Sequence, residues 1–174
     1  MQIRLAAPLT FDSIVDGPGL RMVIWTQGCE HHCLGCHNPQ THDLYGGFEM
    51  DVATIIEQMK KSRLQKGVTL SGGEPFLQAE KLLPIVAEAK GIGWDVWSYT
   101  GFRFEQLLNE KHPDYEARLK LLHYIDVLVD GPFIQKLKSH DLVFRGSSNQ
   151  RIISVRRSLE TGQVVLVERY MERM

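Results

Sequence analysis

"LRMVIWTQGCEHHCLGC", Leu20 to Cys36, joins two kinds of sequence. Its first half, up to Gly28, is rich in apolar and β-prone residues and predicts a buried strand. Its second half packs all three cysteines of the chain into eight residues. A strand running straight into a loop of metal-binding residues suits an α/β protein, whose site gathers beyond the carboxyl ends of parallel strands.

The same alternation continues outward. "DVATIIEQM" places Val52, Ile55, Ile56 and Met59 on one helical face, with Asp51 as its cap and Gly67 as the stop before the next strand. "VTL", Val68 to Leu70, is a short strand ending in "SGGEP". "LQAEKLLPIVAEAKG" is helical in composition, with Pro84 either kinking it or starting its main segment. "WDVWSY" is a strand ending in "YTG", and "IDVLV" is a strand ending in "DGPF". One or two helices lie between Arg103 and Leu122, with Tyr115, Leu119 and Leu122 on a shared face. The tail differs: "RIISVRR" and "QVVLVER" flank "SLETG" and predict an antiparallel hairpin. The expected fold is therefore α/β, with right-handed crossovers between parallel strands. With 174 residues the chain is too short for a full eight-unit barrel, so a partial, open (β/α) barrel with a C-terminal β-hairpin is expected, with residues 1–174 as one domain.

Hydrophobic residues make up 43% and charged residues 24%, which excludes a disordered chain. A net charge of −1 gives no basic field, so nucleic-acid binding is not expected. Arg145, Arg151, Arg156 and Arg157 are read as a solvated face. No apolar run would span a membrane, and "MQIRLAAPLT" lacks the pattern of a secretion signal. Three crowded cysteines suit a metal better than a disulfide framework, and a reduced, cytoplasmic protein is expected.

The cysteine spacing is Cys29-x3-Cys33-x2-Cys36. Zinc would want a fourth ligand, and His31, His32, His37 and His42 are nearby. A [4Fe-4S] cluster normally takes four thiolates, so three leave one iron without a protein ligand, and an open position is normally a reactive one. A structural zinc loop needs no partner motif on other strands. Here Gly72 and Gly73 expose backbone at the next strand end, and Glu74 offers a carboxylate that can accept a hydrogen bond from an ammonium group.

With Cys29, Cys33, Cys36 and Gly72-Gly73-Glu74 together, the sequence resembles the radical S-adenosylmethionine (SAM) superfamily. The resemblance implies a [4Fe-4S] cluster on the three cysteines. It also implies SAM chelating the fourth iron, the Gly-Gly-Glu loop on the SAM amino group, and reductive cleavage of SAM to a 5′-deoxyadenosyl radical. "DGPGLRMVIWTQGC" and "HNPQT" resemble glycyl-radical-enzyme activating proteins. "VLVDGPF" with "FRGSSNQR" is more similar to the activators of anaerobic (class III) ribonucleoside-triphosphate reductases. That likeness implies the reductase large subunit as protein substrate and a flavodoxin-type electron donor. The chain departs from the superfamily in one respect: Gly35 stands where many members carry an aromatic residue before the third cysteine. Backbone contacts to adenine from Gly35, Cys36 and His37 remain available. Beyond the cluster and SAM ligands, no catalytic side chain is expected.

The remaining assignments are weaker. Thr100 is assigned to the methionine end of SAM and Asp130 to its ribose, each with a plain turn as the alternative. His31 and His32 flank the site. Trp25, Trp94 and Trp97 are expected in the core. Arg21 lies near the site unless its stem simply packs. Arg145 to Arg151 is either a contact loop or a surface turn. Competing functions are another small radical SAM reaction (7-carboxy-7-deazaguanine synthase-like, or activation of a different glycyl radical enzyme) and a zinc-stabilised binding module.

Overall fold

The computed structural model describes residues 1–171. Four parallel strands form the centre of the sheet: β3 (Arg21–Thr26), β5 (Gly67–Gly72), β6 (Asp95–Tyr99) and β7 (Val127–Asp130). Each is an apolar stretch identified from the sequence, and each ends at one of the motif loops. Antiparallel strands flank them. On one side β1 (Gln2–Leu5), β2 (Thr10–Ser13) and β4 (Phe48–Asp51) continue from β3. On the other side β8 (Arg151–Ser154) pairs with β7. The eight strands run in the order β4-β1-β3-β5-β6-β7-β8, with β2 also on β3. The sheet does not return on itself, so this is the partial, open (β/α) barrel expected.

Alternation along the strands sends residues to two faces. Met22, Ile24, Val68, Leu70, Val96 and Leu128 face the helices and are fully buried. Three helices cover them, α1 (Val52–Lys61), α2 (Ala79–Gly91) and α4 (Tyr115–Tyr124), with the short α3 (Phe104–Leu107) packed beside α4. Asp51 caps α1 by accepting the Ala53 amide at 3.1 Å, as its position predicts. That helix ends at Lys61 and is capped by Ser62, so Gly67 opens the next strand instead of stopping the helix. Pro84 is the sixth of the thirteen residues of α2, where its missing amide removes one helix bond. In α4 the deepest face is Arg118, Leu121 and Leu122. Arg118 turns inward because its guanidinium lies over the Phe102 ring, 4.6 Å from the centroid.

The inner face is polar at the amino ends of the strands. Arg21 is fully buried there, at the end away from the cysteines. It donates to Thr69 Oγ1 (2.8 Å), to the carbonyls of Val68 and Pro18 (3.0 Å each) and to Asp95 (2.5 Å). Arg21 is therefore a structural floor and not a site residue. Farther along, Trp97, Val129 and Ile152 form an apolar patch. Phe144 and Tyr170 close over Trp97, with ring centroids 5.2 and 5.5 Å away.

The tail keeps its antiparallel return in a different form. Leu166 bridges to Ile153, Ser154 donates to the Val165 carbonyl at 2.8 Å, and Val167 donates to the Ile152 carbonyl at 2.8 Å. The connection is a helix, α5 (Val155–Thr161), and not a tight turn at "SLETG". Val155 is buried and Ser158 Oγ donates to the Ser154 carbonyl at 2.7 Å, so "VRR" winds up where extended backbone is expected. A last short helix, α6 (Glu168–Met171), follows.

Arg151 anchors β8. It donates to Asp130 at 3.0 and 2.5 Å and to Glu105 at 3.0 and 2.9 Å. Those hydrogen bonds hold the Glu105 carboxyl below the usual carboxylate range. A lowered folded-state pKa adds stability that is present at neutral pH and lost as the pH falls through the carboxylate range. Glu105 is half exposed, so the contribution is at most about 1 kcal/mol. Glu105→Gln should flatten the acid side of a stability–pH curve by that amount and leave the curve above pH 6 nearly parallel to wild type, as read by urea unfolding.

Candidate functional site

Beyond the carboxyl ends of β3, β5, β6 and β7 lies a cavity of about 370 Å³. Its wall includes all three cysteines, His31, His37, Gly72, Gly73, Thr100, Gly131 and Phe133. The four loops that the sequence singled out thus meet at one rim, for the reason given by parallel topology.

The cysteine loop is held at its base by backbone. Gly28 donates to the Thr41 carbonyl at 2.8 Å and Cys29 to the His42 carbonyl at 3.3 Å. Inside the loop, Cys36 donates to the Cys33 carbonyl at 3.2 Å, and the Asn38 amide donates to Cys36 Sγ at 3.4 Å. All three thiols are free and half-buried. Burial pushes the Cys29 thiol up to about 11, and the nearby Glu74 carboxylate and two other thiols act in the same direction. Such a thiol is deprotonated readily only when a metal cation takes the proton's place on sulfur and the proton leaves to solvent.

Among the described residues, no three His, Cys, Asp or Glu side chains are gathered closely enough to grip one metal ion. The thiols instead face a space large enough for a polynuclear group. Three thiolates on one open cavity fit a [4Fe-4S] cluster with one iron left to an outside ligand.

Gly72 and Gly73 line the cavity and also close the β3–β5 junction. Gly73 donates to the Thr26 carbonyl and Glu74 to the Gly28 carbonyl, each at 2.7 Å. Gly72 has φ +94°, and a Cβ there would run into the Thr26 backbone. The glycines are thus required by the fold as well as by access to a ligand.

Glu74 is 1% exposed and is absent from the cavity wall. Its carboxylate accepts from His31 Nε2 (2.7 Å), Thr100 Oγ1 (2.9 Å), the Gly101 amide (2.8 Å) and the Phe76 amide (3.0 Å). Thr100 reaches the wall, though its hydroxyl proton goes to Glu74. Asp130 is equally buried and also stands off the wall; it accepts from Arg151 and from the Phe104 amide at 2.7 Å, while its neighbour Gly131 lines the cavity. Cys36 and His37 lie on the wall, and Gly35 (φ +75°) packs beside the Gln135 side chain instead.

Several wall residues escaped sequence reasoning. Trp25, expected in the core, is half-buried on the wall with its indole N–H donated to Thr10 Oγ1 at 2.9 Å. Asp16 and Tyr99 join it. The Arg145 to Arg151 loop, read from the sequence as a contact loop or a surface turn, also contributes Gly146 and Gln150 to the wall. Gln150 accepts from the Gly146 amide (2.8 Å) and donates to the Gly131 carbonyl (3.0 Å), tying two walls together. Strand alternation could have found Trp25 and Tyr99, because both lie on the face opposite the helix-covered residues.

Comparison with known proteins agrees with this geometry. Residues 15–153 match the family described as "4Fe-4S single cluster domain", the class that a cavity with three thiols defines. Anaerobic ribonucleoside-triphosphate reductase-activating proteins are among the curated relatives. The one from Haemophilus influenzae is 38% identical over 147 residues, covering 80% of this chain and 90% of that protein. Those from Escherichia coli K12 (35% over 151 residues, 82% and 94% covered) and from Enterobacteria phage T4 (35% over 147 residues, 80% and 87% covered) are similar. At that identity and coverage, this chain belongs to the family of anaerobic ribonucleoside-triphosphate reductase-activating proteins. The zinc-module reading is set aside with it. Among solved structures, QueE from Escherichia coli overlays with a TM-score of 0.45 and 16% identity, over 57% of this chain and 53% of that one, and carries no weight here.

Proposed function

We propose that this chain is a radical SAM activase that places a glycyl radical on an anaerobic ribonucleoside-triphosphate reductase. The supporting observation is the convergence of Cys29, Cys33, Cys36, Gly72 and Gly73 on one open cavity, in a chain with no fourth cysteine. A reduced [4Fe-4S] cluster held by Cys29, Cys33 and Cys36 would supply the electron for reductive cleavage of SAM, and with it the radical chemistry directed at a glycine of the partner.

The chain's own residues bind, orient and exclude water. Cys29, Cys33 and Cys36 would hold a cluster through three thiolates and leave one iron to an outside ligand. The backbone of Gly72 and Gly73, unobstructed by side chains, lets the amino-acid end of SAM approach the strand ends. The Cys36 and His37 backbone takes the adenine side. Trp25, Tyr99 and Phe133 line the cavity and shield a reactive centre from solvent. The open rim admits a polypeptide loop, as a protein substrate requires. A flavodoxin-type donor and a cytoplasmic setting complete the proposal; among the described residues no helix is long and apolar enough to cross a membrane.

The test is anaerobic reconstitution with iron and sulfide, followed by electron paramagnetic resonance of the reduced protein with and without SAM. The expected result is a [4Fe-4S] signal that changes when SAM is added, and then a glycyl radical signal when the reductase of the same organism is mixed in. A protein that takes up zinc and no iron would refute the assignment.

A further inference from the structure

We infer that His31 and Glu74 form a positioning pair that sets the shape of the cluster loop, with Glu74 acting through His31 and not as a direct ligand of the SAM ammonium group. The inference rests on the iron–sulfur reading above and deepens it.

His31 lies midway along the arc between Cys29 and Cys33. Its Nε2 lies 2.7 Å from Glu74 Oε1, and a buried carboxylate can only accept, so Nε2 carries the hydrogen. The ring is fixed on two further sides. Its edge meets the Phe102 ring, with centroids 4.5 Å apart. Its face lies against Gly101, where a Cβ would come within 2.5 Å of the imidazole carbon Cδ2. Gly101 thus leaves the space that the imidazole fills.

Glu74 gathers what surrounds it. The same carboxylate holds the β5 loop through the Phe76 amide and the β6 loop through Thr100 and Gly101. Three loops from three strand ends therefore meet on one buried carboxylate, and among the described residues His31 is the cluster loop's side-chain link to it. Four donors saturate the carboxylate, which sits behind His31, Thr100 and Gly101 and does not itself line the cavity. An ammonium group would have to displace one of them. A buried acceptor with donors in place rigidifies what it joins, and outer partners of metal ligands commonly alter affinity by about 10–100-fold.

The experiment compares His31→Phe, His31→Gln and Glu74→Gln with wild type after anaerobic reconstitution. His31→Phe keeps the ring against Phe102 and removes the donor; His31→Gln keeps a donor. The readouts are iron per chain, the rate of cluster loss to a chelator, the reduced paramagnetic signal with and without SAM, and the melting of the cluster-free protein. His31→Phe should lose its cluster at least about tenfold faster than wild type, with cluster-free melting little changed, while His31→Gln recovers most of the difference. The SAM-dependent change in the signal should persist in both. Glu74→Gln should show fast cluster loss with the SAM response retained.

Equal cluster lifetimes in wild type and His31→Phe would overturn the inference, whatever Glu74→Gln does. So would a Glu74→Gln protein that keeps its cluster normally and no longer responds to SAM, since that is the behaviour of a direct SAM ligand. A wild-type protein that takes up no iron at all would instead strike the proposed function itself.

Discussion

Cys36→Ala should leave a folded chain that no longer holds its cluster. Cys36 is half-buried on a loop, and its sulfur accepts a single amide, from Asn38. No core residue depends on it, so unfolding free energy should change by less than about 1 kcal/mol. The cofactor has no such margin. Three thiolates already fall one short of the usual set, and no other cysteine can substitute. Iron should fall from about four per chain to near zero after reconstitution, and activation of the reductase to background. Iron analysis beside a urea unfolding curve checks both halves. A mutant that unfolds along with losing iron would mean the loop carries stability that its contacts do not reveal.

Gly72→Ala should fail for a different reason. The residue has φ +94°, a conformation that costs a side-chain-bearing residue about 1–2 kcal/mol. Its new Cβ would also strike the Thr26 carbonyl oxygen and lie 2.5 Å from the Thr26 nitrogen. Thr26 pairs with Gly72 at the last register position of β3 and β5, so neither backbone can yield alone. The strands must part, and the Gly73 and Glu74 amides lose the Thr26 carbonyl at the end of β3 and the Gly28 carbonyl just beyond it. The expected loss is about 3 kcal/mol or more, together with a cluster that no longer assembles. A shift of the urea midpoint without change of slope would record it. Stability near wild type would show that the strand ends are softer than their close packing implies.

The central strands and their loops were legible because Met22 to Trp25 and Val127 to Val129 are unbroken apolar runs and "VTL", Val68 to Leu70, is β-prone throughout. The outer strands carried no such signal. Gln2–Leu5, Thr10–Ser13 and Phe48–Asp51 are four residues each and mix polar with apolar, since an edge strand is buried on one side at most. Residues 155–157 were misplaced because Val155 suits a strand, and only tertiary packing makes it the first residue of a helix.

At the site, the cysteines and glycines were visible by type and spacing. Where the Glu74 carboxylate points was not, because that depends on three loops meeting. Asp130 was singled out for following a strand, yet its partner is Arg151, twenty-one positions later. Gln150 lies in the "FRGSSNQR" stretch, yet its residue type does not say what it touches. Its role comes entirely from the Gly131 carbonyl and Gly146 amide that it bridges.

The aromatic cover over Trp97 has a consequence for how the chain is made. Tyr170, and Met171 with its carbonyl held by Arg145 at 3.1 Å, are translated after every strand whose inner face they protect. Until they leave the ribosome, the apolar patch of Trp97, Val129 and Ile152 lacks half of its aromatic cover and keeps Phe144 alone of the two rings over Trp97. A nascent chain stalled before Val167 would therefore carry a complete sheet with a sticky interior, the form most exposed to aggregation and to chaperone capture.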